Sequence, residues 1–107
     1  RDLAGALPWY QQVIDSGDSE APLAAAHLGE LHYWLGDRDG ALRYYELTIT
    51  GTENAELVAE ACHRLGEIRY ERGEVRTAAQ MWRRAYATGD ETFAPQSAAR
   101  LAELSPQ

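Results

Sequence analysis

Ala24, Leu28, Leu31 and Leu35 recur three or four positions apart, the spacing of one face of an α-helix. The chain reads as six such segments separated by Gly-rich and Asp/Thr-rich breaks. Helices are predicted over 3–15, 20–35, 38–49, 55–72, 75–87 and 94–104. Gly36 and Gly73 stand where a helix end requires left-handed backbone. Ser16-Gly17, Thr50-Gly51 and Thr88-Gly89 are expected to end their helices in the same manner. Asp18 or Ser19, Thr52 or Asn54, and Asp90 or Thr92 can cap the helices that follow. Pro22 and Pro95 fall near predicted helix starts, where a missing N–H costs little. Pro8 falls later, which predicts that its helix starts nearer Pro8 or frays in its first turn. Ser105-Pro106 stops the last helix.

The segments repeat. Leu28-Gly29-Glu30-Leu31-His32-Tyr33 returns 37 residues later as Leu65-Gly66-Glu67-Ile68-Arg69-Tyr70. The same shift carries Gly36-Asp37 onto Gly73-Glu74, Ala41 onto Ala78 and Tyr45 onto Trp82. Leu101-Ala102-Glu103-Leu104 opens a third copy, and Trp9-Tyr10 echoes Tyr44-Tyr45. The domain is thus predicted to run over 1–107 as a half unit (about 1–17), two full units (about 18–51 and 52–89) and a half unit (about 90–105). A two-helix unit cannot bury its apolar stripe alone, so neighbouring units are expected to stack. Gly29 and Gly66 let paired helices approach closely. Ala41 and Ala78 offer the small surface opposite, and Tyr45 and Trp82 are expected to fill the space between units.

Composition narrows the function. Ala, Leu, Glu and Arg dominate, while Val and Ile are scarce, which favours helices over a sheet. Seventeen acidic residues against ten basic ones give a formal charge of −7. That excludes a nucleic-acid backbone and an anionic membrane surface as expected partners. The single cysteine, Cys62, permits no internal disulfide and fits a reducing, cytoplasmic setting. No apolar run is long enough to span a bilayer. The chain opens with Arg1, which predicts that it is a piece of a longer protein.

The order Leu-Gly, aromatic, Gly-Asp, Ala, aromatic resembles the tetratricopeptide repeat. The residues that carry the likeness are Leu28-Gly29, Tyr33, Gly36-Asp37, Ala41 and Tyr45, then Leu65-Gly66, Tyr70, Gly73-Glu74, Ala78 and Trp82. Departures are Ala25 and Cys62 in place of a large residue, His32 and Arg69 in place of an aromatic, and a missing terminal proline. The unit length of 36 to 37 residues and Ile14-Asp15-Ser16-Gly17 look like the longer repeats of actinobacterial array proteins, so a bacterial source is expected. The resemblance implies an all-α, right-handed α-α superhelix of about six antiparallel helices whose first helices line a concave groove for a peptide.

Projecting that groove onto this chain selects Glu30, Tyr33, Trp34, His63, Glu67, Tyr70, Glu71 and Glu103. Leu23, Ala26, Glu60, Gln96 and Ala99 complete the wall. Such a wall is acidic and aromatic, and suits a protein or peptide with basic and apolar side chains. Lys, Arg and Asn that would clamp a C-terminal carboxylate are missing from it. The competing reading makes Tyr33 and Tyr70 packing residues and the glutamates a solvated face. A second alternative makes the chain a structural spacer, or a module that forms homo-oligomers through its half-unit ends. His27, His32 and His63 have no metal-ligand spacing, and Cys62 lies at a small-residue packing position. Neither a catalytic role nor a cofactor is therefore expected. Arg76, Arg83 and Arg84 form a small basic patch on a second helix, expected on the convex side.

Overall fold

The computed structural model describes residues 3–17 and 19–104, with side chains described from Pro8 onward. Its six helices are α1 (Leu3–Asp15), α2 (Ala21–Trp34), α3 (Arg38–Gly51), α4 (Ala55–Glu71), α5 (Val75–Ala87) and α6 (Phe93–Leu104). The architecture is all-α, as the periodicity predicts. The chain resolves into two compact units, Arg1–Thr52 with α1, α2 and α3, and Glu53–Gln107 with α4, α5 and α6.

In the first unit α2 and α3 run antiparallel. Pro22 near the start of α2 lies against Gly51 at the end of α3, Gly29 against Tyr45, and His32 against Gly40. The turn between them follows from sequence. Gly36, at φ 87°, takes the left-handed conformation, and Asp37 N–H donates back to the His32 carbonyl at 2.8 Å. Asp37 then caps α3 by accepting from Gly40 N–H at 3.0 Å, and its carboxylate also meets His32 Nδ1 at 2.9 Å. The Gly40 bond, followed by His32, holds the Asp37 carboxyl below its ordinary range. The second unit repeats this turn with Gly73 at φ 80°, Glu74 N–H on the Arg69 carbonyl, and an Arg69–Glu74 ion pair at 3.0 Å.

The core of each hairpin is an aromatic ring seated on a bare stretch of helix. A Cβ on Gly29 would stand 2.9 Å from two ring carbons of Tyr45, and one on Gly66 would stand 2.6 Å from Cδ1 of Trp82. Real Cβ atoms do not approach so closely, so both seats require glycine. Tyr45 and Trp82 are fully buried, as are Ala41 and Ala78. The rings thus fill the inside of their own hairpins rather than only the space between repeats; Trp82 also reaches onward, to Arg100 of α6.

Three local expectations are corrected. α1 runs through Pro8 instead of starting there, giving up one backbone hydrogen bond inside an otherwise continuous helix. Gly51 is the last residue of α3 and is not left-handed, unlike Gly17 and Gly89, because Thr52 continues in extended backbone. The N-cap position of α2 falls on Glu20, which makes no side-chain cap bond, rather than on Ser19, and Asp18 lies outside the described residues. Asn54 does cap α4, through Leu57 N–H at 3.1 Å, and Asp90 accepts from Thr92 and Phe93 N–H at the start of α6.

Candidate interaction surface

Glu30 and Trp34 lie one turn apart on α2 and are both exposed, Trp34 at 64%. Tyr33 is half-buried beside them, its ring edge-on to the indole at 5.3 Å. The Arg38 guanidinium lies 3.9 Å over the Tyr33 ring and donates to the Tyr33 carbonyl. Leu35, exposed at 55%, extends the apolar patch beyond Trp34.

The second unit presents the same register with different occupancy. Tyr70 is exposed at 40% and packs against Trp82 with ring centroids 5.8 Å apart. Glu71 is exposed, and Glu67 is half-buried. Arg100 of α6 reaches back over this surface. Its Nε donates to Glu67 Oε2 at 2.8 Å, a second nitrogen donates to Glu103, and its guanidinium carbon stands 4.8 Å from both the Tyr70 and Trp82 rings. Burial opposes the charge of Arg100, but the hydrogen bonds and charges of Glu67 and Glu103 prevail and raise its pKa. Two of the acids expected to read a basic partner therefore already hold a cation from the same chain.

His63 is placed elsewhere than the exposed wall. It is 4% exposed, with Nδ1 sharing a hydrogen bond with Ser97 Oγ at 2.8 Å and its ring 5.7 Å from Phe93. Trp82 Nε1 donates to its backbone carbonyl at 3.2 Å. Burial, and then the charges of Arg64 and Arg100, lower its pKa to about 4, so it is a neutral core residue at pH 7. Ala26 is likewise buried, at 3% exposure, while Leu23 is 42% exposed. Cys62 is fully buried, and burial raises its thiol pKa, the opposite of what a nucleophile needs.

Sequence reasoning passed over Arg100 and Ser97. The i, i+3 spacing of Arg100 and Glu103 was a usable signal for the first. A serine at the position held by Ala24 and Ala61 in the other copies was a signal for the second, since a buried hydroxyl demands a partner. It also passed over a cleft of about 170 Å³ between α1 and α2, walled by Trp9, Tyr10, Val13, Leu23, Ala24 and His27, with Glu20 at its edge. Tyr10 stacks there on His27, with centroids 5.3 Å apart and planes 27° apart.

No helix among the described residues is long and apolar enough to cross a membrane. Residues 23–55 match a family model described as a tetratricopeptide repeat. No curated protein and no solved structure matches the chain.

Proposed function

We propose that this chain binds a segment of a partner protein along the face of its first helices, a reading supported by the match of residues 23–55 to a tetratricopeptide-repeat model, whose family generally mediates protein–protein interaction. The observation that carries this reading is Trp34. An indole exposed at 64%, with Leu35 next to it and Glu30 one turn away, is a costly arrangement to leave facing water and a common one at the centre of an interface. The partner chemistry follows from the neighbours. Glu30 favours lysine or arginine, and Trp34 takes an apolar side chain or the face of a cation. In the second unit Tyr70 and Glu71 offer the same kinds of contact, whereas a basic ligand must displace Arg100 to reach Glu67. Selectivity therefore falls mainly on α2.

Peptide display against the chain tests this. Enriched sequences should combine Lys or Arg with apolar residues, and Trp34→Ala should weaken a selected peptide at least about tenfold, the usual cost of an interface anchor, with helicity unchanged. Enrichment of acidic peptides, or affinity unchanged by Trp34→Ala, would sink the reading.

A further inference from the structure

α5 contains no Asp or Glu, yet it carries Arg76, Arg83 and Arg84. No carboxylate therefore stands three or four positions from any of them, the spacing at which a helix pairs its own charges. All three are exposed, and among the described residues none hydrogen-bonds or ion-pairs with them. By contrast Arg38, Arg43, Arg64, Arg69 and Arg100 each meet a ring, a hydroxyl or a carboxylate. Helical geometry gathers Arg76, Gln80, Arg83 and Arg84 into an arc of about 100°, opposite the buried Ala78, Trp82 and Ala85. Arg76 and Arg83 stand two turns apart, about 10 Å along the axis. Tyr86, exposed at 58%, and Val75, at 45%, border the arc on one side. Hairpin packing does not demand this charge. At the same register, 37 residues earlier, α3 carries Asp39, Glu46 and Leu47 where α5 carries Arg76, Arg83 and Arg84.

We propose that this face of α5 docks an acidic segment of a partner protein, with carboxylates on Arg76, Arg83 and Arg84 and an apolar side chain on Tyr86. Charge complementarity sets the choice, since three unneutralised guanidinium groups share one helix of a chain whose formal charge is −7. The planar donor fork of arginine takes a carboxylate through two parallel hydrogen bonds. A nucleic acid or an anionic membrane fits less well, because the patch is two turns long and the net charge of the chain repels an extended polyanion. Tyr86 and Val75 give a protein segment apolar contact that a bare phosphate cannot use. Exposed charge pairs contribute little each, so the contact is weak, with a Kd of about 0.1–1 mM at low salt. Peptides held this weakly are washed away in a display selection. The site lies on a different helix from Trp34 and Glu30 and takes the opposite charge, so either reading can fail without the other.

An NMR titration of the 107-residue chain with an acetylated, amidated peptide of glutamate, leucine and alanine tests this, read at backbone amides and at arginine Nε–H signals. Signals of Arg76, Arg83, Arg84 and Tyr86 should shift and saturate in the range given above. Raising salt from about 0.02 M to about 0.5 M should weaken binding at least about fivefold. Arg76→Glu combined with Arg83→Glu should abolish the shifts on α5. That double variant places acids where α3 already carries them, so the fold tolerates it, and circular dichroism checks this. A peptide of lysine, leucine and alanine should leave α5 unmoved, and its effect at Trp34 judges the other site separately. Absence of shifts on α5, or shifts that survive the double variant, overturns the proposal. Tighter binding of an RNA oligonucleotide or of anionic vesicles at α5 would make the patch a polyanion site. Shifts on α5 when the chain is concentrated without peptide would make a second copy the occupant. Either of these results also overturns the assignment to an acidic partner segment.

Discussion

The Nε of Arg100 donates to Glu67 at 2.8 Å, joining α6 to α4 across thirty-three positions of sequence, and the carbon of the same guanidinium stands 4.8 Å from the centres of both the Tyr70 and Trp82 rings. This contact ties the last helix to the hairpin before it. Arg100→Ala should destabilise the second unit by about 1–2 kcal/mol, from the lost partly buried ion pair and cation–π contact together. Urea unfolding followed by tryptophan fluorescence measures it. A cycle with Glu67→Gln should return a coupling of about 0.5–1 kcal/mol; additive losses would mean that the two groups do not cooperate.

The two glycine seats should respond unequally to one methyl group. Alanine is the better helix former by about 1 kcal/mol, yet a Cβ on Gly66 meets the rigid, fully buried indole of Trp82. Gly66→Ala should therefore cost more than about 2 kcal/mol net. Gly29→Ala, where the distance to the smaller Tyr45 ring is 2.9 Å, should cost less. Chemical denaturation ranks the two, and a stabilised Gly66→Ala would show that the ring is free to move away.

At Gly73 the reason is conformational, since nothing lies within 4 Å of its would-be Cβ while φ is +80°. Gly73→Ala should cost about 1 kcal/mol through left-handed backbone alone. Pairing Gly73→Ala with Trp82→Phe should be additive within about 0.5 kcal/mol, a result denaturation curves of the single and double variants check.

Acid should loosen the second unit through His63. Its folded pKa, lowered from 6.5 to about 4, lies below that of the unfolded chain, so between those values the unfolded state binds the proton more readily. The stabilisation is intact above pH 6.5 and is lost as pH falls through this window, by roughly 3 kcal/mol at its lower end. His63→Gln, which can keep the bond to Ser97, should flatten the slope of stability against pH between 6.5 and 4. An unchanged slope would assign the acid sensitivity to other groups.

The helices, the turns and the aromatic pair were legible because each depends on neighbours in sequence. Gly36-Asp37 and Gly73-Glu74 encode a left-handed turn and a cap in adjacent positions, and the 37-residue echo fixes which aromatic belongs to which glycine. The surface was less legible. Projecting a groove by register treats His63 as equivalent to its neighbours on the helix face, but whether a position is covered depends on the helix that packs on it. Phe93 and Ser97, thirty residues and more along the chain, turn that position into core. The same holds for Glu67, whose partner Arg100 arrives from the next repeat. Helix existence is a property of spacing, whereas exposure is a property of what arrives later in the chain.

Each ring and its glycine seat lie sixteen residues apart, inside one hairpin with its turn between them. A genetic event that copies one hairpin therefore copies both halves of its lock. The duplicate arrives with its core already assembled, and only its outer face remains to be altered. An array built this way can lengthen or shorten by whole hairpins without any buried ring losing its seat, leaving mutation free to change exposed residues such as Trp34.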